Sequence, residues 1–444
     1  MLKRKIYQKL VDWKRTHKNN CLMVEGARQV GKTYIIREFG KKEYESFIEI
    51  NFIKNQELKQ IFNGSLDADS IYKRMSAMIN GVNFVKGNTL IFLDEIQACG
   101  NARTALKFLA EDGRFDVITS GSLLGLTYGE DADENTEEPE SVPTGYEMFL
   151  TMYSLDFEEF LWANGIEPPL TSILENCLSE EKPVPDALHH RMRQLLLQYA
   201  VVGGMPDAVN AFINTHRLDR VLQIQRDIVR SYKDDMIKYA DKKDKSCITE
   251  CFESIPRQLA KENKKFQYSL VKKGATSSKY AGSLQWIEEA GIITRCYNLS
   301  ITELPLDGNS IENMFKVYMR DIGLFVSMLE DGTQYDILQG NLYGYKGAIF
   351  ENLIADIFSK MGRKLYYFHK DSGLEVDFVI RYHGECTLVE VKASDGNTKS
   401  TKTILRHPEK YHVSHAIKLG DYNIGRNDQI LTLPLYMAFL LKAL

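Results

Sequence analysis

Glycines at 26 and 31, a lysine at 32 and a threonine at 33 stand as G-x-x-x-x-G-K-T, and this spacing carries specific chemistry. The glycines let the backbone curl, so that N–H groups from Gly26 through Ala27, Arg28, Gln29, Val30 and Gly31 face phosphate oxygens. Lys32 reaches the outer phosphates as a point charge, and the Thr33 hydroxyl suits a Mg2+ ligand. The apolar run Leu22-Met23-Val24 predicts a strand ahead of this loop. The stretch from Thr33 to Phe39 predicts a helix whose positive end meets the same anion. ATP with Mg2+ is the ligand that such a loop expects.

Asp94 and Glu95 close the uninterrupted apolar run from Thr89 to Leu93, which predicts a buried parallel strand. Asp94 suits the Mg2+ shell, and Glu95 suits the polarisation of a water that attacks the terminal phosphate. Glu95 therefore separates hydrolysis from binding, and with Lys32 it is the candidate catalytic group here. A third predicted strand, Phe115 to Thr119, leads to Ser120. Its hydroxyl is the candidate sensor of the terminal phosphate, although a serine closing a strand also serves as a turn former.

A second set of chemical residues lies in the last hundred positions. Glu351 falls on a predicted amphipathic helix that starts near Gly347, and Asp377 on a predicted strand from Glu375 to Ile380. Glu390 and Lys392 share one face of the strand that starts at Cys386, because side chains alternate. An acid on one strand beside E-x-K on its neighbour is an arrangement for metal-assisted hydrolysis. Glu351, Asp377 and Glu390 would ligate Mg2+ or Mn2+, while Lys392 would orient or deprotonate a water. A surface hairpin with an ordinary Glu–Lys pair is the alternative, worth under about 1 kcal/mol.

The elements that must position these groups follow from length and pattern. A chain of 444 residues holds two to four domains. With 56 Lys plus Arg against 60 Asp plus Glu, a net charge of -4 excludes a chain that coats nucleic acid along its whole surface. The seven scattered cysteines form no C-x-x-C pair and read as reduced thiols. No apolar segment approaches a bilayer span, so the expectation is a soluble cytoplasmic chain without a membrane partner. The acidic segment from Gly129 to Glu140 reads as a solvated loop. Beyond a strand near Tyr146 to Tyr153 the pattern is helical to about Tyr239, with a tight connection at Gly203-Gly204-Met205-Pro206. From Ile255 to Tyr297 the order helix, Ser277- or Ser278-capped helix, Gly291 stop and strand predicts a winged helix. Lys272, Lys273 and Lys279 are its candidate phosphate contacts with nucleic acid.

In order and content, the segments GARQVGKT, LIFLDEIQ, SLDFEEFL, GGMPDAV, KVYMRDIGL, GAIFENLIA, GLEVDFVI and LVEVKAS resemble prokaryotic AAA-fold P-loop ATPases with a C-terminal domain of unknown function. The resemblance implies an α/β chain with a P-loop core over 1–153 and a helical lid over 154–240. A winged helix over 241–335 and a domain similar to PD-(D/E)XK nucleases over 336–444 follow. It places Lys32, Thr33, Asp94 and Glu95 in the nucleotide motifs, and Glu351, Asp377, Glu390 and Lys392 in the nuclease-like motif. Two functions stay open: an ATP-dependent enzyme that cleaves nucleic acid, and an ATP-driven switch whose C-terminal domains only bind a partner. A homo-oligomer is an added expectation, because ATPases of this fold commonly borrow an arginine from a neighbour; Arg103 and Arg114 are the nearest candidates.

Overall fold

The computed structural model describes residues 2–17, 19–122, 145–240, 244–261, 264–341, 345–392 and 398–442. The acidic segment 129–140 lies outside them. The chain forms two compact units, Lys3–Ser154 and a second from Leu155 to Glu288 and from Ile292 onward. No helix of the described residues is long and apolar enough to cross a membrane.

The first unit is built on five parallel strands, β1 Cys21–Gly26, β2 Ser46–Asn51, β3 Thr89–Asp94, β4 Asp116–Ser122 and β5 Glu147–Thr151, in the order β2-β3-β4-β1-β5. Both faces are covered, so alternate residues of one strand enter different cores. Met23, Ile91, Leu93 and Val117 pack on one side with Ile71, Met75, Leu106 and Leu109. Leu22, Val24, Leu90, Phe92 and Ile118 pack on the other with Leu10, Ile36 and Phe39. This double burial is why β3 reads as an unbroken apolar run. The order reverses direction at β1, and a crevice at the carboxyl ends of such strands is where open α/β sheets bind ligands.

The second unit begins with helices Phe157–Ala163, Pro168–Ser179, Asp186–Val202, Pro206–Thr215 and Leu218–Tyr239. Asp156 and Glu159 close the first of these with reciprocal bonds to each other's backbone N–H. Helices Lys245–Leu259, Tyr268–Val271 and Ser277–Glu289 follow, then the antiparallel pair β6 Ile293–Leu299 and β7 Ser310–Met319. The helix Lys346–Lys360 comes next, then β8 Leu365–His369, β9 Glu375–Val376, β10 Phe378–Tyr382 and β11 Glu385–Val391. β12 His415–Gly420, β13 Gly425–Asn427 and β14 Ile430–Pro434 complete the sheets of the described residues. One sheet runs β7-β6-β8-β9 and the other β10-β11-β12-β14-β13, so β6 and β8 join segments on either side of residue 336.

Two features depart from the sequence expectations. The helix Lys346–Lys360 is not amphipathic: every residue from Ala348 to Lys360 is buried, because sheets and helices surround it. The predicted strand Glu375–Ile380 is broken at Asp377, since β9 pairs with β8 while β10 pairs with β11. Asp377 thus sits where the chain steps from one sheet to the other.

Burying that helix all round also buries its charges. Lys360 Nζ lies 3.0 Å from Asp356 Oδ2, 2.9 Å from the Tyr199 hydroxyl, 3.1 Å from the Leu155 carbonyl and 3.6 Å from Asp321 Oδ2. Asp321 also accepts the Gly204 N–H at 2.9 Å, and Leu155 donates its own N–H to Gly204 O at 2.7 Å. Burial and the Asp321 charge push the Asp356 carboxyl up to about 7, against the pull of Lys360.

Candidate nucleotide site and the C-terminal acid cluster

β1 ends in the glycine loop, and the helix Lys32–Glu43 starts directly after it. Gly26 has φ +154°, and a Cβ there would lie 2.2 Å from the Met152 carbonyl oxygen; Gly31 takes φ +97° as the residue before the helix. Only glycine meets both demands. The helix has no side-chain cap and no acid in its first turn, so its leading N–H groups are open to an anion. Arg4 fixes the loop from behind, donating to Val30 O at 3.1 Å and to Tyr153 O at 2.6 Å.

Lys32 Nζ donates to Gly26 O and Ala27 O, each at 2.8 Å. Burial lowers its pKa to about 8 against the pull of Glu95 and Asp94, so an incoming polyanion would favour the charged form. Asp94 is 1% exposed yet gathers three donors. Thr33 Oγ1 lies 3.1 Å from Oδ1, Asn51 Nδ2 lies 2.7 Å from Oδ2, and the Ser120 hydroxyl bonds to Oδ1. Thr33, Asp94 and Ser120, from three elements, thus meet in one place, and oxygens of this kind suit Mg2+.

Asn51 escaped the sequence reading. It faces Asp94 because β2 and β3 pair in the register Asn51↔Asp94, and its Oδ1 accepts the N–H groups of Ile53 and Lys54. A polar residue closing the alternating strand Ser46-Phe47-Ile48-Glu49-Ile50 was the available signal. Glu95 sits one residue past β3 in the left-handed region, φ 57° and ψ 50°, and Gln97 Nε2 donates to its Oε2 at 2.6 Å. Arg114, one of the two arginines considered for a neighbour's site, is tied to Asp112 and Asp69 within its own unit.

In the second unit the acids are brought together, and lysines come with them. Glu351, 2% exposed, is contacted by Lys264, by the Tyr318 hydroxyl and by Lys316 Nζ at 3.1 Å. Lys316 also reaches Glu375 at 3.0 Å. Burial would raise the Glu351 pKa, but Lys316 and Lys264 outweigh it and hold the carboxyl well below its usual range. Glu390 is engaged by the Thr401 hydroxyl and by Lys392. Asp377 Oδ2 accepts the Val391 N–H at 2.8 Å; burial first, then Glu351 and Glu390, keep its carboxyl well above the ordinary range. Among the described residues no group of three or more His, Cys, Asp or Glu has the arrangement to hold a metal ion. Glu351 in particular does not fit as a ligand while two ammonium groups and a phenol occupy it. Sequence spacing gave no sign of Lys264 and Lys316, which approach from other elements.

The predicted nucleic-acid lysines are exposed, but two are engaged locally. Lys272 pairs with Glu250 at 2.7 Å, and Lys279 lies over the Tyr280 ring at 5.6 Å. Lys273 is exposed on the turn between the helices Tyr268–Val271 and Ser277–Glu289.

The parallel sheet with its glycine loop gives the first unit a P-loop NTPase fold. Residues 18–161 match the AAA domain family. Residues 193–335 match a domain of unknown function, DUF8612, and residues 346–437 another, DUF4143. Comparison with curated proteins gives no match. Among solved structures the chain is similar to the Walker-type ATPase PABY2304 of Pyrococcus abyssi, with 11% identity, 74% of this chain and 96% of that one covered, and a TM-score of 0.44. It is also similar to AMPPCP-bound DnaA from Aquifex aeolicus, with 12% identity, 64% and 86% covered, and a TM-score of 0.27. PCH-2 of C. elegans is similar at 9% identity, 47% and 57% covered, and a TM-score of 0.26.

Proposed function

We propose that this chain hydrolyses ATP and uses the cycle to control a second unit that binds a partner. Lys32 and the loop N–H groups take the phosphates, Thr33 and Asp94 hold Mg2+, Ser120 senses the terminal phosphate, and Glu95 polarises the attacking water. The observation that carries this reading is the meeting of Thr33, Ser120 and Asp94 beside Lys32 at the carboxyl ends of the sheet. For the second unit, binding is favoured over metal-dependent cleavage because Lys264 and Lys316 neutralise Glu351. The three helices and the β6–β7 hairpin support a winged helix as part of the docking surface, with Lys273 the freest of its lysines for a phosphate.

Glu95→Gln tests the proposal. It should retain ATP affinity and lose about 10²- to 10⁴-fold in turnover, and it should trap the partner-bound state; a variant that turns over ATP at the wild-type rate would refute the assignment. One observation favours a second reading, cleavage of nucleic acid with Mg2+ or Mn2+ in the C-terminal cluster. Burial, then the neighbouring carboxylates Glu351 and Glu390, raise the Asp377 carboxyl well above the ordinary range, a shift that a divalent cation would reverse. Cleavage of plasmid or single-stranded DNA that disappears in Asp377→Ala would decide for it.

A further inference from the structure

We infer that Gln97 is a positioning residue for ATP hydrolysis, clamping one oxygen of Glu95 so that the other faces the attacking water. This rests on the reading of Glu95 given above. Three observations carry it.

The first is backbone strain. Glu95 is a non-glycine residue at φ 57° and ψ 50°. Left-handed backbone costs such a residue roughly 1–2 kcal/mol and persists only where surrounding structure enforces it. Here the turn after β3 redirects the side chain just beyond Asp94. The second is the contact: Gln97 Nε2 donates to Glu95 Oε2 at 2.6 Å. Glu95 directly precedes the short helical turn Ile96–Ala98 and Gln97 lies within it, so the clamp is local and does not depend on distant elements. The third is the other end of the same amide. Gln97 Oε1 is buried and has no hydrogen-bond partner among the described residues. A buried amide oxygen left unpaired costs roughly 1–3 kcal/mol, which a purely structural glutamine would avoid by turning to find a donor. Its nitrogen is committed to Glu95 instead.

The consequence for the reaction is geometric. A free glutamate side chain samples several rotamers and offers either oxygen to a water. With Oε2 held, Oε1 is the oxygen that takes the proton, and the ordering of a flexible side chain is complete before the nucleotide arrives. Gln97 touches neither phosphate nor metal in this role; it acts through Glu95.

The test is Gln97→Met, which keeps the volume and removes both polar atoms, measured in the full chain beside Glu95→Gln and the double variant. The expected result is a fall in kcat of about tenfold to a hundredfold, with KM for ATP and the dissociation constant of a fluorescent ATP analogue unchanged and the melting temperature not lowered. In the Glu95→Gln background the same substitution should add nothing, because the group it positions is gone. An unchanged kcat overturns the inference. So does a loss that is equally large with Glu95 present or replaced, or one that tracks the melting temperature. Glu95→Gln with wild-type turnover would instead remove the assignment of Glu95, and the inference with it, whatever Gln97→Met does.

Discussion

Replacing Gly204 by alanine should damage the second unit more than a single methyl group suggests. A Cβ at Gly204 would stand 2.0 Å from Leu155 O, 2.8 Å from Leu155 N and 2.9 Å from Leu155 C. All three are backbone atoms and cannot swing aside like the tip of a side chain. They are also committed, since Leu155 N–H bonds to Gly204 O at 2.7 Å while Leu155 O accepts from Tyr199 at 2.9 Å and Lys360 at 3.1 Å. Relieving an overlap of more than an ångström breaks some of these bonds. Overpacking costs roughly 1–3 kcal/mol, and each lost bond adds about 1 kcal/mol, more for the one from Lys360. The expected destabilisation is therefore about 3–5 kcal/mol. Gly282 provides the control: it lies inside the helix Ser277–Glu289 with nothing within 4 Å of the added carbon. Gly282→Ala should stabilise by about 0.5–1 kcal/mol through helix propensity. Urea unfolding of the full chain, followed by circular dichroism and by tryptophan fluorescence, which reports Trp162 and Trp286 in this unit, measures both. A Gly204→Ala transition within about 0.5 kcal/mol of wild type would refute the packing argument, as would an equal loss in Gly282→Ala.

Lys360→Met keeps the apolar stem but leaves Asp356 and Asp321 buried without their cation. A loss of about 3–5 kcal/mol in the same unfolding experiment is expected, since removing one partner of a buried pair strands the other charge. In the first unit, burial lowers the His17 pKa, but the Asp116 hydrogen bond, the Trp13 carbonyl and the Asp116 charge raise it to a net value above 6.5. A raised folded pKa contributes stability that is fully present below the unfolded pKa and lost as pH rises through the folded one. Unfolding free energy should fall on going from about pH 6 to pH 8, and His17→Gln should flatten that slope; an unchanged slope would remove His17 as its source.

The glycine loop, β1, β3 and the pair Asp94-Glu95 were legible because their chemistry is local: contiguous residues form the loop, and an unbroken apolar run is what a doubly covered strand must be. Asn51 was not, because its contact with Asp94 depends on which strand lies beside β3. The acids Glu351, Asp377 and Glu390 were legible as a cluster, yet Lys264 and Lys316, which decide its charge, were not. They meet Glu351 from 87 and 35 residues away, and no spacing rule links them. Gly203-Gly204 read as a tight turn, whereas close approach to Leu155 is what requires a residue without a side chain at Gly204. The helix Lys346–Lys360 misled for a related reason, since periodicity cannot anticipate that a surrounded helix will bury Lys360 together with Glu351 and Asp356.

The pairing of β6 with β8 also shapes how the chain is made. Asn298 exchanges hydrogen bonds with the backbone of His369, 71 residues later. β7 ends at Met319, 50 residues before β8 ends at His369, so at about 5–20 residues per second ribosomal synthesis leaves roughly 3–10 s in which the β6–β7 hairpin exists while β6 still presents one unpaired edge. An open strand edge recruits other chains, so this interval is the vulnerable point of biosynthesis. A fragment that stops at residue 335 would make the interval permanent, and one that starts at 336 would carry β8 without its neighbour. Dissection of the C-terminal half therefore has to begin upstream of β6, and a piece running from Leu155 onward closes the edge within a single molecule.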